Sequence, residues 1–214
     1  MRRCYLVRHA QTVWNGENRL QGHSDLPLSA LGERQARQLG ARFASLHVAG
    51  LFSSTLQRSR QTAQQILEGN GHQVNPVMDH GLMEMHLGAW EGLTPQEIDG
   101  RFDGAYQRWI VQPSSVVIPN GEPLDAFRLR VRQAWSRVLA TIEGGDGEYV
   151  VVSHGGVIAA MLADALAADY DILIRRLRLD NAGITAIDCD GRMPHVLWIN
   201  STTHLRTDGP GPSD

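Results

Sequence analysis

Apolar residues recur along this chain in two rhythms that take turns, and each stretch predicts an element. Residues 3–7 form a short β-rich run that stops at Arg8-His9-Ala10. From 28 to 43 the spacing turns helical. Ala36, Leu39 and Phe43 share a face, Ser29 stands where an N-cap would, and Glu33 lies in the first turn. Residues 50–53 predict a brief strand, and Leu56, Ser59, Ala63 and Ile66 predict a helix in the segment starting at Thr55. Gly, Pro and Trp punctuate residues 88–122, with a short helix expected around 95–109. A long amphipathic helix follows over 123–142. Leu124, Phe127, Val131, Ala134, Val138 and Ile142 fall on one stripe, with Pro123 at a first-turn position.

The run 149–153, Tyr-Val-Val-Val-Ser, is apolar on both faces, the mark of a central parallel strand covered by helices. After His154-Gly155-Gly156 an apolar helix is expected over 157–167, then late strands at 184–187 and 196–199 joined around Gly191. The tail from Thr207, with its Gly-Pro-Gly-Pro, predicts disorder. Strands alternating with helices predict an α/β fold, a three-layer α/β/α sandwich with a mostly parallel central sheet. One domain is expected over 1–206, with 85–147 partly forming a small cap insertion at one edge.

Composition changes this picture little. A chain of 214 residues, 42% hydrophobic, can bury a full core. A net charge of −3 gives no sign of a nucleic-acid or membrane partner. Basic residues cluster only at Arg128, Arg130, Arg132 and at Arg175, Arg176, Arg178, and both groups are expected on solvated faces. Cys4 and Cys189 fit no CxxC pair or metal spacing and are expected as reduced, buried structural thiols. The first residues lack the apolar core of a secretory signal, and no run approaches the ~18 apolar residues of a membrane span. A cytoplasmic protein is the expectation.

Candidate chemistry begins where strands end. In α/β sheets ligands sit beyond the carboxyl ends of parallel strands, and two predicted strands here end in histidine, at His9 and His154. Arg8-His9 suits phosphate: the guanidinium fork matches phosphate oxygens, and a neutral imidazole is a competent nucleophile when its other nitrogen is held. Alone, that dipeptide is weak evidence, and a surface-loop histidine is the better reading of it. No HExxH or HxH spacing suggests a metal phosphoesterase, no GxSxG elbow a serine hydrolase, and neither GxGxxG nor GxxxxGK[ST] a nucleotide loop. Trp90 and Trp109 read as core or cap packing.

The run Arg8-His9-Ala10-Gln11-Thr12-Val13-Trp14-Asn15 closely resembles the opening signature of the histidine phosphatase superfamily, though the family usually has Gly at Ala10 and commonly Glu at Gln11. Gln21-Gly22-His23-Ser24-Asp25-Leu26-Pro27-Leu28 is similar to the segment that follows the signature. Ser53 through Ala63 resembles the second-arginine motif, Leu82 through Gly92 the acid-bearing segment, and Val152-Ser153-His154-Gly155-Gly156 the second-histidine motif. The resemblance spans residues 4 to about 188.

It implies that His9 is the nucleophile and that Arg8, Arg58 and His154 surround the transferring phosphoryl group. Glu84 serves as proton donor and then acceptor, needing its proton for the first task. Thr12, Asn15, Gln21, Gly22 and Gly155 contact substrate. No cofactor or metal is implied, and a homodimer is compatible with the resemblance but specified by no segment. His23 and His86, beside motif residues, are candidates to line the pocket; His47, His72, His80, His195 and His204 are expected to be ordinary surface or loop histidines. The expected activity is hydrolysis of small phosphomonoesters through phosphohistidine. Alternatives are a cofactor-dependent phosphoglycerate mutase of the same superfamily, or a phospho-ligand binding module without turnover. Mutases carry an Arg directly after the catalytic Glu, where this chain has Met85.

Overall fold

In the run Tyr149 to Val152 every side chain is buried, yet alternate ones face opposite ways. Tyr149 and Val151 belong to one apolar core, Val150 and Val152 to another. The strand therefore lies between two helical layers, as its doubly apolar pattern predicts. The computed structural model describes residues 2–71, 74–191 and 193–205. The expectations for His72 and for the tail from 207 lie outside them.

Among the described residues six strands form one sheet: β1 (Arg2–Arg8), β2 (Val48–Ser53), β3 (Val77–Met78), β4 (Gly147–Ser153), β5 (Ile184–Asp188) and β6 (His195–Ser201), in the order β3-β2-β4-β1-β5-β6. Pairing is parallel from β3 through β1 and antiparallel on either side of β5. The helices, in chain order, are α1 (Val13–Gly16), α2 (Ala30–Phe43), α3 (Gln57–Asn70), α4 (Pro95–Arg101), α5 (Ala105–Val111), α6 (Leu124–Glu143), α7 (Gly155–Ala165) and α8 (Tyr170–Arg176).

On one face Ala36, Leu39 and Phe43 of α2 and Ala63 and Ile66 of α3 pack on Tyr5, Val7, Leu51 and Val150. On the other, Phe127, Val131, Ala134 and Val138 of α6 and Val157, Ile158 and Met161 of α7 pack on Cys4, Leu6, Phe52 and Val151. Truncating one such aliphatic side chain to alanine costs about 2–5 kcal/mol. Cys4 and Cys189 are buried and free, as expected. No helix among the described residues is long and apolar enough to cross a membrane.

Three expectations need adjustment. Ser29 does cap α2, its hydroxyl accepting from the Gly32 N–H at 3.1 Å, so the helix begins at Ala30 rather than at 28. The helix expected over 95–109 is two: Asp103 and Gly104 both take positive φ, 51° and 67°, which no α-helix accommodates. A further helix, α8, capped by the Asp169 side chain, carries Arg175 and Arg176, for which the sequence predicted only a solvated face.

Candidate active site

Because β1 and β4 are parallel neighbours with Arg8 opposite Ser153, their next residues, His9 and His154, leave the sheet side by side. The two rings lie 5.1 Å apart. The His9 backbone is fixed at both ends: its N–H donates to the Ser153 carbonyl at 2.8 Å, and its carbonyl accepts from Asn181 Nδ2 at 3.1 Å. His9 Nδ1 donates to the Ala10 carbonyl at 2.8 Å, since a carbonyl can only accept. The proton therefore sits on Nδ1, and Nε2 keeps its lone pair. Burial, then Arg58 and Arg8, hold the His9 pKa well below the usual imidazole range, so the ring is neutral at physiological pH.

β2 pairs with the other edge of β4 and ends at the same level, delivering Ser54 and the start of α3. Arg58, the second residue of α3, is buried and donates through Nη1 to the Ser24 carbonyl and through Nη2 to that of Gly22, at 2.9 and 2.8 Å. Burial lowers its pKa to about 10, which leaves it charged at neutral pH. Arg8 Nη1 donates to the Leu179 carbonyl at 2.5 Å. His154 Nε2 lies 2.8 Å from the Ser54 hydroxyl, which itself accepts from the Leu56 N–H. With that hydroxyl donating, His154 carries its proton on Nδ1. Arg8 Nε, Arg58 Nε and His154 Nδ1 are all buried without a hydrogen-bond partner among the described residues. Unpaired buried donors of this kind are costly unless something accepts from them.

Glu84 comes from the loop before α4. Its Oε1 accepts from the Met85 N–H at 2.9 Å and its Oε2 from the Gly156 N–H at 3.1 Å. A Cβ at position 156 would stand 2.5 Å from Glu84 Oε1, so only glycine leaves this carboxylate in place. The Glu84 carbonyl accepts from His23 Nε2 at 2.8 Å and Arg130 Nη2 at 2.7 Å. Arg130 also donates to the Gly81 and Met83 carbonyls and forms a two-pronged pair with Glu122. It is not on a solvated face, as its group was expected to be. It clamps the acid-bearing loop.

Arg8, His9, Arg58 and Glu84 line one cavity of about 620 Å³, together with Asn15, Gln21, Gly22 and Gly156. Gly22 takes φ +50°, and a Cβ there would collide with Glu91 Oε1 at 2.2 Å. Three expected contacts fall off the lining, the first being His154, which is fully buried beside His9. Thr12 is fully buried; its hydroxyl caps α1 and bonds Gln21 Oε1, so it shapes the wall from behind. Gly155 begins α7 off the lining, and the following residue, Gly156, takes its place. His23 and His86 do not line the cavity; their rings pair at 4.9 Å behind it. His204 is no ordinary surface histidine, because burial lowers its pKa to about 4. Trp90 is core, whereas Trp109 lines the cavity. Glu91 and Glu122 hold structure, Glu91 through the His23, Ser24 and Leu87 N–H groups. Asn181, Ser54 and Arg130 carried no sequence signal of a role here; Ser54 at least lies within the second-arginine motif. Among the described residues no three His, Cys, Asp or Glu side chains are grouped as a metal ion would require.

Residues 4–202 match the model of the histidine phosphatase superfamily, branch 1, and the chain belongs to that superfamily of enzymes. Among relatives, a Serratia proteamaculans protein named "probable phosphoglycerate mutase GpmB" is 36% identical, with 97% of this chain and 96% of that protein covered. Among solved structures, a mycobacterial glucosyl-3-phosphoglycerate phosphatase is 30% identical with a TM-score of 0.82, covering 94% of this chain and 99% of that one. The α-ribazole phosphatase from Shigella flexneri is 26% identical with a TM-score of 0.83, covering 93% and 96%.

Proposed function

We propose that this protein hydrolyses small phosphomonoesters through a phosphohistidine on His9. One observation carries the reading: a neutral imidazole with its proton pinned on Nδ1 shares its cavity with Arg8 and Arg58, whose Nε–H groups are buried and unpartnered, and lies 5.1 Å from the ring of His154, whose Nδ1 is likewise unpartnered. Three oxygens of a phosphoryl group would satisfy those donors, and the same donors stabilise charge spread over the oxygens in a loose transition state. Nε2 of His9 attacks phosphorus; the N–P bond forms as the bond to the leaving oxygen breaks. Glu84 gives that oxygen a proton. The carboxylate then takes a proton from water, whose oxygen attacks phosphorus, breaks the N–P bond and frees inorganic phosphate with His9 neutral again.

The name of the Serratia relative favours a second reading, phosphoglycerate mutase. A mutase must retain a doubly anionic intermediate while it turns over, which calls for cations beyond the phosphate site. Besides Arg8 and Arg58, the described cations on the cavity are Arg19 and Arg178. Arg19 is bonded to Glu17 and Glu97, Arg178 to Asp180. Met85, in the position after the acid, adds no charge.

The test supplies 3-phosphoglycerate with catalytic 2,3-bisphosphoglycerate and follows both 2-phosphoglycerate and inorganic phosphate. Phosphate release is expected, with an acid-labile, base-stable label on the protein that His9→Ala abolishes along with nearly all activity. Rapid interconversion with little phosphate released would instead establish the mutase.

A further inference from the structure

The cavity that holds Arg8, His9 and Arg58 also has an apolar, aromatic lining. Tyr106 and Trp109 of α5 lie on its wall with ring planes only 29° apart and centroids 6.0 Å apart. Trp90, fully buried, meets Trp109 edge-on at 6.2 Å and so backs the wall with core. Leu20, Met85, Leu87 and Ile174 add apolar surface. The other described cations of the cavity are already engaged by carboxylates: Arg19 with Glu17 and Glu97 at 3.1 and 2.9 Å, Arg178 with Asp180 at 2.8 Å. Asp180 itself lines the cavity and would repel a second anion.

We propose that the leaving group this site accepts carries an uncharged, planar aromatic body that lies against the Tyr106–Trp109 wall. The inference rests on the phosphomonoester reading of the same site and names the class of substrate within it. Stacked rings present a broad, rigid, polarisable face and lose little conformational freedom when covered. A compact acid such as a phosphorylated hydroxy acid would leave that face wet and would bring its carboxylate to a region whose positive charge is already balanced. A volume of about 620 Å³ lies within the ~300–1,000 Å³ of typical small-molecule sites and leaves room for a ring system beside the phosphate.

Binding separates this inference from the chemistry, because phosphonates occupy a phosphate site without being hydrolysed. Isothermal titration at neutral pH compares ethylphosphonate, 2-phenylethylphosphonate and 2-carboxyethylphosphonate on the full chain. The phenyl compound should bind on the order of tenfold more tightly than the ethyl one, a ratio corresponding to about 1.4 kcal/mol. The carboxyethyl compound should bind no more tightly than the ethyl one. Trp109→Ala should bring the phenyl-to-ethyl ratio toward one and Trp109→Phe should keep most of it, with ethylphosphonate binding reporting that each variant is folded.

Equal affinities for the phenyl and ethyl compounds, tightest binding of the carboxyethyl compound, or a ratio unmoved by Trp109→Ala would each overturn the inference while leaving a phosphatase intact. Phosphonate binding with the phenyl preference, but no turnover of any phosphomonoester, would sink the hydrolase and keep the aromatic subsite. No phosphonate binding at all would overturn both.

Discussion

At the scale of single residues the site depends on where protons are held. His9 is usable as a nucleophile because its surroundings deny it a proton on Nε2: the Ala10 carbonyl takes the N–H of Nδ1, while burial and two guanidiniums disfavour the cation. Both Glu84 oxygens accept backbone N–H groups, which fix the carboxylate against the start of α7. If Glu84 is the proton donor, Glu84→Gln should slow release of an alkoxide by about 10²–10⁴-fold and barely affect p-nitrophenolate in the first half-reaction. Single-turnover rates with both esters measure this, and equal losses would move the acid elsewhere. Gly156→Ala makes a sharper version of the same test. Its Cβ would fall 2.5 Å from Glu84 Oε1, so the carboxylate must move while α7 keeps its hydrogen bonds. The variant should melt within a few degrees of wild type yet show the leaving-group dependence of Glu84→Gln. A variant with wild-type rates on alkyl esters would show that the Glu84 position is not critical.

At the scale of elements, the acid-bearing loop has no regular structure of its own and borrows rigidity from α6. Arg130 reaches from that helix to the Gly81, Met83 and Glu84 carbonyls, and Glu122 neutralises it at 2.6 Å. Arg130→Met keeps the stem but strands three carbonyls and a carboxylate. The expected loss is about 2–3 kcal/mol of stability, typical of charge-assisted bonds left unmade. A lower kcat with a smaller change in KM should accompany it, and Arg130→Lys should recover part of both. Chemical denaturation and steady-state kinetics read the two effects, and an unchanged kcat would confine Arg130 to a structural role.

Arg130 also shows what the sequence hides. It borders the apolar stripe of α6 one residue before Val131, and a charge at that place in the pattern reads as solvated until the loop it grips is known. Where period alone decides, the elements were legible: the doubly apolar run 149–153 could only be a covered strand, and Ser29 announced the start of α2. β3, with two residues, has no period to read, and the break at Asp103-Gly104 depends on backbone angles that composition does not specify. The charged members of the site were legible through motif, because phosphate chemistry permits few substitutes. Asn181, which holds the His9 carbonyl from a loop 172 residues away, was not.

At the scale of the whole molecule, three neighbouring strands end at one level and bring His9, His154 and Ser54 together at a depth where imidazole cannot take up a proton easily. Folding therefore has a pH dependence whose sign follows from burial. In the unfolded chain each histidine titrates near its ordinary value of about 6.5. In the folded chain burial keeps His9 and His154 neutral until well below that, and His23 and His204 are shifted in the same direction. As pH falls through 6.5 the unfolded state takes up protons that the native state refuses, so the native state loses stability. The carboxylates with lowered pKa values, among them Asp180 and Glu97, add losses of the same sign, but only around and below pH ~4.5, near their unfolded values. The interval from about pH 6.5 to 5 thus isolates the histidines, and His9 and His154 should each contribute a slope approaching roughly 1.4 kcal/mol per pH unit at its lower end. Urea unfolding at half-unit steps measures that slope. His9→Gln should reduce it by up to one proton's share, because the variant removes a group that only the unfolded state protonates. Stability that stayed level between pH 7 and 5, or a His9→Gln slope equal to wild type, would mean that the strand ends are open enough for His9 to be protonated in place, and the neutral nucleophile would have to be abandoned.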